Sequence, residues 1–143
     1  MAVTTFVTNK LKNMLAGGLV SGRSAISCYA VPYANFTPGD ATNFLSDIAA
    51  AAAGNGLTAQ ALTLTATRDD TNDRTTLSSA AITFGPASGA VTDARCIVFY
   101  NYTGTPSTSE VLLVVTLDSA AVAVSQAGSI TLTPNAAGWA YVG

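Results

Sequence analysis

The chain contains no histidine in its 143 residues. That absence removes the imidazole base of the serine and cysteine triads and the commonest metal ligand. Cysteine is nearly absent as well. Cys28 and Cys96 each lie inside an apolar, strand-like segment, far from any companion ligand. A zinc site wants four ligands at close spacings, so neither metal nor disulfide is expected and both thiols should be buried and free. Charged residues make up 10% of the chain, where a soluble domain usually carries about 25%. The net charge is −2, and only Lys10, Lys12 and Arg23 fall near one another. Phosphate binding needs a clustered excess of cations, so nucleic acid is not an expected partner. No apolar run reaches the roughly 18 residues of a membrane span. The N-terminal stretch Met-Ala-Val-Thr-Thr-Phe-Val-Thr-Asn-Lys lacks the order of a signal peptide, so a soluble protein made inside a cell is expected. The glycine pairs in "AGG" and "GNG" are not followed by the lysine of a phosphate loop. An enzyme would have to work with Asp, Tyr and Arg alone. No catalytic residue, no metal and no cofactor are therefore expected.

What remains is small, apolar and β-branched. A chain of this length forms one domain, over 1–143, with a core that requires no staples. Residues 5 to 16, "TFVTNKLKNMLA", place Phe6, Leu11, Met14 and Leu15 at loosely helical spacing, and Gly17-Gly18 is a helix terminator. Residues 1–17 are thus expected to be an N-terminal helical arm. "SAISCYAVPY" alternates Ile26, Cys28 and Ala30 with polar or small partners, and Pro32 confines its end to an edge or a terminus. A helical turn through Phe44–Ile48, capped by Thr42 or Asp40, leads into an alanine run that ends at Gly54-Asn55-Gly56. The alanines favour helix, yet the run is too short to distinguish a helix from a packed extended linker.

From Leu57 the period changes to two. Leu62, Leu64 and Ala66 alternate with Thr63, Thr65 and Thr67, the pattern of a half-buried antiparallel strand. Further strands are expected at Thr75–Ser78, Ala81–Phe84, Arg95–Tyr102, Glu110–Asp118 and Gly128–Thr133. Arg95–Tyr102 is apolar on both faces and should be central in its sheet. Strands about ten residues apart, with Gly, Pro, Asn and Ser between them, define a mainly β chain: an antiparallel β-sandwich or jelly roll with a short N-terminal helix and one helical turn. Residues 136–143, with Trp139 and Tyr141, are expected to form a C-terminal tail.

The heptapeptide "RDDTNDR", residues 68–74, concentrates five of the chain's 14 charges. A calcium loop requires a glycine at its bend and a late glutamate. Asp69, Asp70 and Asp73 have neither, since the next acidic residue of that type is Glu110. The segment separates two Thr-rich alternating strands, and Asp and Asn side chains bond back to local backbone in turns. A hairpin turn is expected, with Arg68 and Arg74 neutralising the aspartates. Among the aromatic residues, Tyr29, Tyr33, Phe36, Tyr100, Tyr102, Trp139 and Tyr141 could line a carbohydrate site. Most are expected in the core or an interface, with Tyr102 the best exposed candidate.

The succession "NFTPGDATNFLSDIA", "GNGLTAQALTLTATRDDTNDRTTLSSAAITF", "ARCIVFYNYTGTPSTSEVLLVVTLD" and "GSITLTPNAAG" resembles the small β-rich virion proteins of tailed bacteriophages over about residues 30 to 138. The chain departs from that pattern in the alanine run Ala49–Ala53 and at Leu57. The resemblance implies a structural protein on the capsid surface, made in the host cytoplasm. It implies a decoration or cement protein bound outside the lattice of the major capsid protein, or a minor tail or head-appendage protein, or a glycan- or receptor-binding module. Its partners would be the major capsid protein and sister copies, as a dimer or trimer. A chain so rich in apolar residues has more of them than a small sandwich readily hides. Phe6, Leu11, Met14, Leu15, Trp139 and Tyr141, at the two termini, are therefore the expected oligomer or capsid contacts.

Overall fold

Alternation between apolar and small polar residues builds the middle of the sheet. In a computed structural model that describes residues 4–20, 25–50, 52–91, 93–117, 126–136 and 138–142, strand β2 spans Ala25–Tyr33 and buries Ile26, Cys28 and Ala30 while exposing Ala25, Ser27 and Tyr29. Strand β3, Gln60–Asp69, turns Leu62, Leu64 and Ala66 inward and Thr63, Thr65 and Thr67 outward. It forms a hairpin with β4, Arg74–Ser78. Strands β6, Cys96–Asn101, and β7, Glu110–Thr116, form a second hairpin. Apolar on both faces, β6 lies between β2 and β7, as its composition predicts.

Strand β1 is Thr4–Val7 and strand β9 is Ala140–Val142. With them the order is β1-β7-β6-β2-β3-β4-β9, antiparallel throughout. The sheet curls until its two edges meet, where the Thr5 hydroxyl donates to the Trp139 carbonyl at 2.9 Å. The result is a barrel-like sandwich. Two short strands, β5 (Ile82–Phe84) and β8 (Ile130–Leu132), pair separately, and Phe84 and Ile130 join the main core.

The curl encloses Leu64, Leu77, Ile97, Phe99, Leu113 and Val115. The opposite face of β6 and β7 carries Cys96, Val98, Tyr100, Val111 and Val114, covered by Phe36, Leu45, Ile48 and Ala59 from the segment between β2 and β3. Cys28 faces the enclosed core and Cys96 the outer cluster, so both thiols are free and buried. Burial away from water pushes the Cys28 thiol up to about 12.

Three local expectations are corrected. Residues 4–7 are not helical. Thr4, Thr5 and Val7 are β-branched, and the segment completes the free edge of β7 with Phe6 opposite Val114. The helix, α1, is Asn9–Val20. Thr8 caps it: the Leu11 amide donates to the Thr8 hydroxyl oxygen at 3.3 Å, and that hydroxyl lies 2.6 Å and 2.8 Å from the carbonyls of Val111 and Leu112. With its start anchored and Leu11 and Leu15 packed in the core, α1 continues through Gly17-Gly18, which weaken a helix without forbidding it. Finally, only Leu45–Asp47 forms a short 3-10 turn. The Asp47 carboxylate, rather than Thr42 or Asp40, accepts the amides of Asn43 and Phe44, at 3.0 and 2.8 Å. Ala49, Ala50, Ala52 and Ala53 of the alanine run are not helical; Ala52 bridges to Tyr33 and the Ala53 amide donates to the Pro32 carbonyl at 2.9 Å. A helix that short is marginal by itself, and in its place the backbone pairs with the end of β2 while Ala53 packs against the enclosed core. Pro32 is accommodated because its nitrogen, on the same side as that carbonyl, faces away from the β6 ladder.

Candidate functional site

The heptapeptide is the turn of the β3–β4 hairpin, with Asp69 opposite Arg74. The Asp69 carboxylate accepts the Asn72 side-chain amide at 2.7 Å, the Asn72 backbone amide at 3.3 Å and the Arg74 guanidinium at 3.1 Å. These bonds, the Asn72 side chain first and then Arg74, hold Asp69 below the usual carboxylate range. Asp73 takes a positive φ of 49°, which aspartate tolerates better than most residues. Arg68 pairs with Asp70. The turn is exposed, and Asp69 and Asp70 are each paired with one of its arginines.

The terminal residues expected at an interface have different places. Leu11 and Leu15 are 0% and 4% exposed and belong to the chain's own core, so they are not contact residues of the folded protein. Met14 is half-buried against the same core. Phe6 is half-buried within β1. Trp139 tilts against Phe99 at 5.6 Å between ring centroids and donates its indole N–H to the Ser79 hydroxyl at 2.9 Å. Tyr141 alone of the six is exposed, at 61%, with the Arg74 guanidinium 4.8 Å from its ring centre. The described terminal segments are sheet strands and a packed helix rather than an arm and a tail. The physical reason is that an uncovered β7 edge and β4 edge would leave backbone groups unpaired. Arg23, expected near Lys10 and Lys12, and Asp118, expected to end β7, lie outside the described residues.

Two surface features remain. The first is the outer face of β2, β3, β4 and β9. Register brings Ala25 and Ser27 beside Thr65 and Thr63, Ser78 and Thr76 beside Thr65 and Thr67, and Tyr141 beside Thr76. No charged side chain interrupts these positions until Asp69 and Arg74 at the hairpin end. The second lies where β6 stops pairing with β2. The last pair is Tyr29 with Tyr100; beyond it the chain diverges at Asn101 and Tyr102 and leaves a notch floored by Ser27, Leu62 and Thr63. Tyr29 and Tyr100 stack with ring centroids 6.0 Å apart, and Tyr102 stands edge-on to both at 5.7 and 6.2 Å. Tyr29 is 38% exposed and Tyr102 54%. Burial first, then the neighbouring phenols of Tyr33, Tyr102 and Tyr29, raise the Tyr100 hydroxyl above its usual value. Tyr102 is exposed as expected. Tyr29, expected in the core or an interface, is outward-facing. Its phase opposite Ile26, Cys28 and Ala30 was the available signal.

The fold thus defines an antiparallel, barrel-like β-sandwich whose candidate sites lie on its outer surface. Compared with known proteins, the chain matches no family model, and no curated protein or solved structure is significantly similar to it.

Proposed function

We propose that this chain is a structural protein of a tailed-bacteriophage virion, a decoration or cement protein that binds the outside of the major capsid protein lattice and stabilises it. The observation that carries this reading is the uncharged outer face of β2, β3, β4 and β9, which presents Ala, Ser and Thr where a free monomer ordinarily scatters charge. Small and β-branched side chains lose little rotamer freedom when a neighbour covers them. They also need no charged partner on the other side. The resemblance in segment order supports the same reading, as does the 10% charge content. The role is one of contact, without catalysis or cofactor. The partners are the capsid subunits beneath and sister copies alongside, and the place is the virion surface.

The test is to count copies of the chain in purified particles and to titrate the isolated protein onto undecorated shells. A copy number comparable with that of the major capsid protein, with saturable binding weakened by Thr65→Lys on the uncharged face, is expected. A copy number fitting only a vertex or tail would move the chain to the appendage class and overturn the cement assignment.

A further inference from the structure

We infer that the notch beside Tyr29 and Tyr102 is a binding site for a neutral saccharide. Three features of the notch specify that chemistry. The first is aromatic surface. Tyr29 and Tyr102 are exposed and meet at 69° between ring planes, 5.7 Å between centroids. They form a corner with one ring as wall and the other as floor. Aromatic rings of this kind offer apolar faces with a polar tip, which match the alternating C–H faces and hydroxyl edges of a pyranose ring. The second feature is unused hydrogen-bonding capacity. The side chains of Ser27, Thr63 and Asn101 line the notch and have no hydrogen-bond partner among the described residues. Two hydroxyls and a carboxamide supply both donors and acceptors, the set needed by a ligand whose every hydroxyl is both. The third is charge: no ionisable group other than phenols and the buried Cys28 thiol lines the notch, so nothing there selects an anion or a cation.

Preorganisation points the same way. Tyr102 opens the loop between β6 and β7, and that loop is cross-tied around the buried Ser109. The Thr103 amide donates to the Ser109 hydroxyl oxygen at 3.2 Å, and the Ser109 hydroxyl and amide both donate to the Thr105 carbonyl, at 2.8 and 3.0 Å. The hydroxyls of Thr103 and Thr108 lie 2.5 Å apart. Tyr29 is fixed from behind by its stack on the buried Tyr100. Rings held in place before binding lose little entropy when a ligand arrives.

The experiment is an NMR titration of the full chain with a panel of neutral sugars: glucose, galactose, mannose, N-acetylglucosamine, N-acetylgalactosamine and their disaccharides. Saturable shifts at the ring resonances of Tyr29 and Tyr102 are expected with at least one of them. Loss of one stacked aromatic platform is worth about tenfold in affinity, so Tyr102→Ala should weaken binding about tenfold and Thr63→Val measurably less. Tyr141→Ala, on the same face and outside the notch, should leave binding unchanged. Tyr102→Phe, which keeps the ring, should retain most of it and guards against a folding defect in the alanine variant. Failure of the whole panel to shift either tyrosine overturns the inference. So does binding that survives Tyr102→Ala, or a Tyr102→Ala effect on self-association in place of sugar binding, which would make the notch a contact between copies. None of these outcomes depends on where the chain sits in a virion.

Discussion

Removing the ring of Phe99 tests the core most directly. Its side chain is fully buried, between Ala30 on β2 and Leu113 on β7, and leans on Trp139. Truncating a buried phenylalanine to alanine costs about 3–5 kcal/mol, through lost transfer energy and the cavity left behind. The tilted contact with Trp139 adds part of the roughly 0.5–1.5 kcal/mol that aromatic pairs contribute beyond area. Phe99→Ala should therefore fall in the upper half of the range, about 4–5 kcal/mol, a large share of the roughly 5–15 kcal/mol that stabilise a domain. Trp139 is the only tryptophan, so its fluorescence in urea reports unfolding, with far-UV circular dichroism as a second probe because the mutation touches the fluorophore. At a slope of about 2 kcal/mol per molar urea the midpoint should drop by about 2 M. Tyr141→Ala, at an exposed site, should change stability by less than about 0.5 kcal/mol. A loss below about 1 kcal/mol in Phe99→Ala would refute the placement of β6 between β2 and β7.

Two further outcomes concern the edges of the fold. Thr8→Ala removes both the cap of α1 and the hydroxyl that faces the carbonyls of Val111 and Leu112; it should cost about 1–2 kcal/mol in urea unfolding, and Thr8→Ser should recover most of it. Asp69 has a folded pKa below its unfolded value, so the stability it contributes is complete above the ordinary aspartate range and disappears as pH falls through the lowered folded value. Melting curves between neutral and strongly acid pH should show a weaker acid dependence in Asp69→Asn, and an unchanged dependence would show that the hydrogen bonds to Asn72 and Arg74 do not persist in solution.

Much of the β architecture was legible in the residues because strands write themselves locally. The alternation of Leu62, Leu64 and Ala66 with three threonines fixes which face of β3 is buried, whatever its neighbours. The two-sided apolarity of "CIVFY" requires cover on both faces and hence a central place, and Asp and Asn between two alternating runs specify a turn at residues 69–73. None of this depends on distant parts of the chain. The termini were decided differently. "TTFV" is a short run compatible with helix or strand, and it became β1 because β7, far along the chain, had an edge to satisfy. Trp139 became a core neighbour of Phe99 because Gly138, at φ +81°, lets the backbone approach the Leu77 carbonyl so closely that a Cβ there would lie 2.3 Å from its oxygen. The described alanines of the run gave up their helical preference where Ala52 bridges to Tyr33 and Ala53 packs against the enclosed core. The notch at Tyr29, Tyr100 and Tyr102 exists only where β6 parts from β2. Composition and period are local properties of a chain; which edges meet, and what surface is left uncovered, are settled by pairings between residues far apart in sequence, whose energies enter only once the sheet has closed.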